Sequence, residues 1–490
     1  MTSDIIKKFQ EAKLLVNNNA YSEIKGNDDY DYLITELIKY MEENENDQYI
    51  ITTKTIRNYQ EHERQRIHEL IIENPKTKEI RENLEMPYDI MLDVTNKSYT
   101  DGDIEDLNKY FNNRYEKLRK IIEQNPEFNK VTDIKNTKTK LESLDIIGIV
   151  NSVNSTKNGH KILELEDPTG TGTVLVMKDN EDLINDCETI LKDEIIGIDG
   201  SSNGNLIIAN DIVHPGIQRQ AIIDKPMDFS IVFISDVHIG SKQFDEAAFN
   251  KFIKWLNGNY GGEDQQELAN SVKYLVIGGD LVDGIGVYPN QEKELKIKDI
   301  YEQYEEAARL LGNITDIPII LSPGNHDATR LAEPQPAITE KYAKELCEQK
   351  NIEMVSNPSL VNLDGIKVLV YHGRSFDDIV MAINGYTHAD TDNMMRLLLE
   401  KRHLAPIYGE RTALASEFED YHVIEELPDV LHTGHVHINS YAKYKGVHLL
   451  NSGTFQEQTE FQKIYNIEPT CGQVPILTNN KFKLLNFRDD

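Results

Sequence analysis

The chain has 490 residues, a formal net charge of −31 at pH 7, and 39% hydrophobic and 28% charged residues. That length exceeds what one core usually organises, so several domains are expected. The acidic balance argues against strong DNA binding by the chain alone, so a more basic partner or bound metal ions would hold the duplex; a surface made soluble by its acids fits the same charge.

Cys187, Cys347 and Cys471 are far apart in the chain and form no CxxC pair, which points to a reducing compartment without a disulfide framework. The first residues, MTSDIIKKFQ, carry no signal-peptide apolar region, and no apolar run approaches ~18 residues. Neither secretion nor a membrane span is expected, and the chain is read as cytoplasmic.

Residues 1–80 read as a small helical N-terminal module. Apolar residues recur at helical spacing over 5–15 and 30–40, and the solvated run ENENDQ follows at 43–48. No chemistry is recognisable there. Residues 86–130 read as a helical connector and linker. The span 104–122 sets Ile104, Leu107, Tyr110, Phe111, Tyr115 and Leu118 on one face, a pattern that fits a core face better than a binding stripe. The Lys- and Thr-rich stretch KVTDIKNTKTK at 130–140 reads as linker.

Residues 131–216 change to short strands separated by turn chemistry. Five β-like runs fall at 146–150, 161–166, 172–177, 194–199 and 206–209, with Asp167-Pro168-Thr169-Gly170 as a tight hairpin. Five short strands point to an OB-fold barrel. OB folds that bind single strands use aromatic platforms over a basic groove, yet 144–213 contains no Phe, Trp or Tyr and many acids. A protein-binding role is therefore expected.

Residues 222–490 alternate strand-like runs with helical spans at 246–256, 297–311 and 339–347, which indicates a layered α/β domain. A helix at 391–401 precedes an insertion around 408–421 that is expected to cover the active site. Five motifs run through this domain in a fixed order: DVHIG (236–240), GGDLVDG (278–284), GNHD (324–327), YHGRS (371–375) and GHVH (434–437). Four of them directly follow apolar, β-branched runs, so their polar residues sit where a buried strand ends.

Asp236, His238, Asp280, Asn325, His372, His435 and His437 are oxygen and imidazole donors with no thiolate among them. Such a set suits Mn²⁺, Mg²⁺, Fe²⁺ or Zn²⁺ in a reactive site, not a Cys-ligated structural zinc. Seven donors exceed the needs of one ion, so two divalent ions ~3.5–4 Å apart are expected, with Asp280 as the bridge. A lone histidine is usually a core or surface residue; five ordered motifs are not explained that way. His388, His403, His422, His432 and His448 match no ligand position and are read as structural. Arg330 and Arg374 follow ligand motifs and are candidate phosphate contacts.

These motifs resemble those of the calcineurin-like metallophosphoesterases, D-x-H, G-D-x-x-D, G-N-H-D, H and G-H-x-H. The resemblance implies one metal, Mn²⁺ first among the candidates, on Asp236, His238, Asp280 and His437. It implies a second on Asp280, Asn325, His372 and His435. His326 would touch the scissile phosphate and assist the leaving oxygen, and Asp327 would orient His326.

The flanking words AEPQPA (332–337), YHGRSFDD (371–378), HTGHVHINSYAKYKGVHLLNSGTFQEQTEFQK (432–463) and EPTCGQVPIL (468–477) look like the small subunits of archaeal family D DNA polymerases, from about residue 86 onward. Cys471 stands where that pattern would have proline, away from the donors.

The resemblance implies a proofreading 3′-to-5′ exonuclease working with a large polymerising subunit on DNA 3′ ends, linked to the sliding clamp through the holoenzyme and located at the archaeal nucleoid. The readings set against it are another two-metal phosphoesterase, either a phosphatase or a repair nuclease, and a noncatalytic polymerase scaffold.

Overall fold

The computed structural model describes residues 2–25, 30–44, 49–59, 62, 88–97, 100, 102–126, 128, 131–217, 225–464 and 467–488. The chain forms two compact units, Met1–Lys76 and Thr77–Asp490. In the first, helices Thr2–Glu11, Asn18–Lys25 and Tyr30–Asn44 bury Phe9, Ile24 and Leu37. The helix expected over 5–15 stops at Glu11. Lys13 takes φ 62° and turns Leu15 into a short parallel strand, β1 (Leu15–Val16), beside β2 (Ile50–Ile51). Residues 45–48 of the expected solvated run, and 63–80 of the expected module, lie outside the described residues.

The second unit begins with β3 (Tyr88–Leu92) and the helix Ile104–Ile122. Asp103 caps that helix by accepting the Asp106 N–H at 2.9 Å. Its buried face carries Tyr110, Tyr115, Leu118 and Ile122, whereas Ile104, expected on that face, is 79% exposed in the first turn. Arg114 is wholly buried here. Its guanidinium donates to Asp420 Oδ2 (2.7 Å), Pro406 O (2.6 Å), Asp193 O (3.0 Å) and the Tyr110 hydroxyl (2.8 Å). A buried cation needs this many partners. They draw the 408–421 segment onto the helix, where the Tyr408 ring lies 5.5 Å from that of Phe111. The sequence places this segment as a cover over the active site; Arg114 anchors its far end at Asp420, while Glu417 meets Arg330 at 2.7 Å and the Arg411 N–H meets Asp378 at 2.8 Å, beside the GNHD and YHGRS motifs.

Strands β4 (Lys140–Ser155), β5 (Lys161–Asp167), β6 (Gly170–Val176), β7 (Ile195–Asn203) and β8 (Ile207–Val213) close a barrel in the order β4-β5-β6-β8-β7. Ile146, Val150, Leu163, Leu165, Val174, Ile196 and Ile198 fill it. Asp167 Oδ1 accepts the N–H groups of Thr169 (2.8 Å) and Gly170 (3.0 Å), which makes the β5–β6 turn. The stretch expected as linker belongs to the barrel. Its Ile134 enters the barrel core from a 3₁₀ turn, and the Ile134 N–H is held by Asp167 Oδ2 at 2.9 Å. The helix Glu181–Cys187 lies between β6 and β7 in the chain and sends Leu183 and Cys187 into that core. Lys401, buried, reaches Glu194 Oε1 at 3.0 Å and ties the barrel to the α/β layers.

The remaining strands are β9 (Ser230–Ile234), β10 (Val272–Gly278), β11 (Ile319–Ser322), β12 (Ile352–Met354), β13 (Ser359–Leu363), β14 (Ile366–Val370), β15 (Val430–Thr433), β16 (Ser440–Tyr444), β17 (Val447–Asn451), β18 (Gln473–Thr478) and β19 (Lys481–Asn486). They build two six-stranded sheets, β12-β11-β10-β9-β18-β19 and β16-β17-β15-β14-β13-β3. Phe233, Tyr274, Val276 and Ile320 of the first sheet pack on Val361, Val368, Val370 and Leu450 of the second, giving a mixed α/β sandwich. β9 to β12 run parallel; β9, β10 and β11 are mostly apolar because both their faces are covered, whereas β12, at the edge, is half-buried and carries Glu353. Of the expected helix at 339–347 only Lys344–Cys347 forms. The GHVH motif, the one without an apolar run before it, also follows a strand: β15 includes His432 and Thr433, whose polarity breaks the pattern.

Replacing Asp420 by Ala leaves Arg114 charged and unpaired inside the protein. The expected loss is about 3–5 kcal/mol, the usual result of removing one partner of a buried pair. Urea unfolding followed by tryptophan fluorescence reads it, because Trp255 is the one tryptophan and lies in the second unit. A loss under about 1 kcal/mol would contradict the buried pairing.

Candidate metal centre

Five strand ends deliver the site: β9 leads to Asp236 and His238, β10 to Asp280, β11 to Asn325 and His326, β14 to His372, and β15 to His435 and His437. Asp236 (φ 52°), His238 (54°), Asp280 (52°), His435 (71°) and His437 (60°) all hold the left-handed backbone region. L-residues avoid that region at a cost of about 1–3 kcal/mol each, and such strain concentrates at functional sites.

The geometry forms three overlapping groups among the described residues. Ligand atoms of Asp236, His238 and His437 lie within 4.8 Å of one another, and so do those of Asp236, Asp280 and His372 and those of His238, Asp283 and His326. Asp236 is common to the first two. Asp280, the expected bridge, places Oδ2 3.2 Å from His372 Nε2, 3.9 Å from His238 Nε2 and 4.0 Å from His326 Nε2. Asn325 Oδ1 lies 3.1 Å from His372 Nε2. His435 stands at the flank, its ring 5.3 Å from that of His372, and its Nε2 lies 3.3 Å from Asp377 Oδ2.

Glycines permit the crowding. A methyl group at Gly324 would overlap Asp280 Oδ1, and one at Gly434 would overlap Asp236 Oδ2.

The electrostatics follow from the burial of acids beside imidazoles. Burial pushes the Asp280 carboxyl up, but His372 and His326 outweigh it and hold the group well below the usual carboxylate range. Asp236 is likewise lowered, burial being outweighed chiefly by His437. His372 rises to about 10: burial opposes its charge, and the carboxylates of Asp280 and Asp236 overcome that. His238 is lowered by burial despite Asp283. Ionised carboxylates crowded in a buried pocket with imidazole nitrogens and no thiolate fit divalent cations.

Asp283, the last acid of the GGDLVDG motif, is a residue that sequence reasoning missed. Its Oδ1 lies 3.1 Å from His238 Nδ1, and it accepts from Gln456 and Gln291, both at 3.0 Å. This carboxylate–histidine contact fixes the ring and turns His238 Nε2 toward the cluster. The G-D-x-x-D spacing was the available signal. Gln462 similarly reaches His437 Nδ1 at 2.8 Å.

Two expected roles meet a different geometry. The Asp327 carboxylate does not touch the His326 ring. Its oxygens accept the N–H groups of Gly324 (2.9 Å), Leu281 (3.3 Å) and Val282 (3.4 Å) and the Tyr304 hydroxyl (3.1 Å), so it braces the loops; burial and then Asp280 raise it to about 6. His326 is oriented instead by the Asp283 carbonyl, 2.7 Å from Nδ1. The carbonyl only accepts, so Nδ1 carries the proton and Nε2 faces the acids.

Arg330, a candidate phosphate contact, is occupied by Glu417 (2.7 Å), Ala332 O (3.0 Å) and Pro334 O (2.6 Å). Arg374 is half-buried, and among the described residues no side chain bonds its guanidinium. His388 lies 2.9 Å from Asp377, and His403 lies 2.8 Å from Asp420. His422 lies 3.3 Å from Glu333, His432 2.8 Å from Ser452 and His448 2.9 Å from Tyr441.

An α/β sandwich with an acid–histidine cluster at its strand ends, joined to a five-stranded barrel, defines a multi-domain polymerase-associated class once its relatives are considered. The family of DNA polymerase alpha/epsilon B subunits matches residues 231–443. The DNA polymerase II small subunit of Methanothermobacter thermautotrophicus is 52% identical over 99% of this chain and 100% of its own length. Those of Archaeoglobus fulgidus and Pyrococcus furiosus are 46% and 40% identical, over 79% and 84% of this chain and 78% and 69% of their own lengths. The chain belongs to the family of archaeal DNA polymerase II (family D) small subunits.

Replacing Asp283 by Ala frees the His238 ring while leaving the seven expected donors in place. The expected result is divalent-cation affinity lowered by about 10- to 100-fold, read by calorimetric titration of the metal-stripped chain with Mn²⁺. Unchanged affinity would remove Asp283 from the account.

Proposed function

We propose that this chain is a metal-dependent phosphodiesterase that trims DNA 3′ ends, the proofreading subunit of a two-subunit archaeal replicative polymerase. The observation that carries the reading is the gathering of four left-handed residues, Asp236, His238, Asp280 and His437, with His372 into overlapping acid–histidine groups, and a fifth left-handed residue, His435, at their flank. A scaffold has no physical need for that strain. Two divalent ions, Mn²⁺ before Mg²⁺, Fe²⁺ or Zn²⁺, would be held by Asp236, His238, Asp280 and His437 and by Asp280, Asn325, His372 and His435. Ions bound there supply Lewis-acid charge for the phosphoryl oxygens and lower the pKa of water.

The chain's own residues then divide the work. Asp236 and Asp280 supply the buried negative charge, and Asp283 and Gln462 fix the rings of His238 and His437. His326, oriented through Nδ1 by the Asp283 carbonyl, presents Nε2 to the departing 3′ oxygen. Water attacks the phosphorus of the terminal nucleotide, one of its protons passing to bulk solvent, and the P–O3′ bond breaks. The 3′ oxygen takes a proton from Nε2 of the imidazolium, and a nucleoside 5′-monophosphate leaves. Arg374, whose guanidinium meets no side chain among the described residues, supports the reading as a cation two residues beyond His372. Asp327 acts from outside the reacting atoms, through the loops it braces.

The barrel is read as an OB fold whose acidic, aromatic-free surface suits a protein partner, the large polymerising subunit, through which DNA and the sliding clamp are reached. Among the described residues no helix is long and apolar enough to cross a membrane.

A 5′-labelled primer, matched or mismatched at its 3′ end, with Mn²⁺ or Mg²⁺ and with or without the large subunit, tests this. Stepwise shortening from the 3′ end with release of 5′-monophosphates is expected. Shortening from the 5′ end, or hydrolysis of phosphomonoesters alone, would refute the reading.

His326→Ala should keep both ions and DNA affinity yet slow hydrolysis by ~10²–10⁴, the contribution of a positioned acid. Metal lost in proportion to activity would make His326 a ligand.

A further inference from the structure

The loop that leaves the second motif carries two side chains that the chemistry above does not use. From Asp283 the chain turns through Gly284 (φ 72°) and Gly286 (φ 75°), passes Ile285, Val287, Tyr288 and Pro289, and returns at Gln291. Buried Gln291 secures its base. The Gln291 amide donates to Asp283 O (2.8 Å) and Asp283 Oδ2 (3.0 Å), and its Oε1 accepts the Val287 N–H (2.9 Å). Gly284 presses on the GNHD segment so closely that a Cβ there would overlap the His326 carbonyl oxygen. The loop is thus seated on the residues that orient His238 and His326.

On that seat Tyr288 brings its ring to 6.2 Å from the His326 ring, with the planes 56° apart, and stays half-buried. Ile285, two glycines around it, is 48% exposed at the crest. One exposed isoleucine is ordinary on a protein surface. An exposed isoleucine on the same short loop as a half-buried tyrosine, at the edge of an acid–histidine cluster, is an apolar ledge beside a site that takes phosphate. The barrel cannot provide such a ledge, since its strands lack aromatic residues altogether.

A nucleotide's base hangs one sugar away from its phosphate, and Tyr288 lies one ring's breadth from the imidazole assigned to the departing oxygen. A base inside a duplex has both faces covered by its neighbours, so only a base that has left the stack can use the tyrosine. Leaving the stack is least costly for a mismatched or frayed terminus. Base–aromatic stacking tolerates every base because each has a π-face.

We propose that Tyr288 is the stacking platform for the terminal base of an unpaired 3′ end, with Ile285 shielding the edge of the stacked base from water. The substrate class that follows is a single-stranded or frayed 3′ terminus, not a fully paired one. This rests on the phosphodiesterase reading of the metal centre.

The test is a cycle between the side chain and the base, using the full-length chain. Primers end at the 3′ side in an unpaired normal nucleotide or in an abasic one, and hydrolysis is compared for wild type, Tyr288→Ala and Tyr288→Trp, with melting temperatures checked. Wild type should prefer the terminus with a base by about tenfold. Tyr288→Ala should bring the ratio near one, and Tyr288→Trp should keep it. A preference as large in Tyr288→Ala as in wild type would overturn the proposal.

A second readout separates this from failure of the parent reading. With 2-aminopurine as the terminal base, fluorescence before any product forms should be quenched on binding wild type and Tyr288→Trp, and not on binding Tyr288→Ala. If wild type releases no nucleotide from any DNA end, the phosphodiesterase reading fails and this quenching alone decides the stacking. Quenching lost in Tyr288→Ala supports it, and equal quenching in the three proteins overturns it.

Discussion

Two buried carboxylates, Asp236 at the end of β9 and Asp280 at the end of β10, are the constraint around which the second unit is arranged. Like charges held close in a dry interior repel, and each also loses its water. The fold answers with donors. Asp280 accepts the His326 N–H at 2.8 Å, and Asp236 accepts the His435 N–H at 3.0 Å. His372 and His437 add their rings. Neighbouring residues must then leave the ordinary backbone regions to reach these acids, which is why the positive φ values gather at the motifs and why Gly324 and Gly434 have no room for a side chain.

That arrangement needs rigid supports, and the sandwich supplies them. Parallel β9, β10 and β11 are buried on both faces, so their ends are fixed by packing before any polar contact is made. Further out, Arg114 joins the helix Ile104–Ile122 to Asp420 and to the barrel's Asp193 carbonyl, and Lys401 joins Glu194. Asp420 continues the chain of buried groups: its Oδ1 accepts the His422 N–H at 3.0 Å, and His422 meets Glu333, to which the Tyr371 hydroxyl donates at 3.1 Å. Tyr371 immediately precedes His372. Barrel, helix and site are therefore parts of one bonded body, not separate modules on a tether.

Much of this was legible in the sequence because its signals are local. A run such as Ile231–Ile234 followed by Asp and His marks a buried strand and its polar end, and the five motifs in order name the residues that the fold gathers. The five barrel strands were visible through their turn chemistry, with Asp167 and Gly170 fixing one hairpin. What escaped depends on partners remote in sequence. Nothing near Arg114 in the sequence announces Asp420, which meets it from 306 residues away. Asp283 reads as one more motif acid until His238 meets it, and Asp327 next to His326 reads as its partner although backbone amides of another loop claim it. Ile134 was hidden by the Lys and Thr around it, which mimic a linker while one apolar side chain anchors the stretch.

The central claim is that the Asp and His side chains at these strand ends form a two-ion centre. Anomalous scattering at the manganese edge, from crystals of the full chain grown with Mn²⁺, tests it most directly. The account predicts two peaks, one among Asp236, His238 and His437 and one beside Asp280, Asn325 and His372. No peak at the strand ends, or a single ion bound elsewhere on the acidic surface, would contradict it.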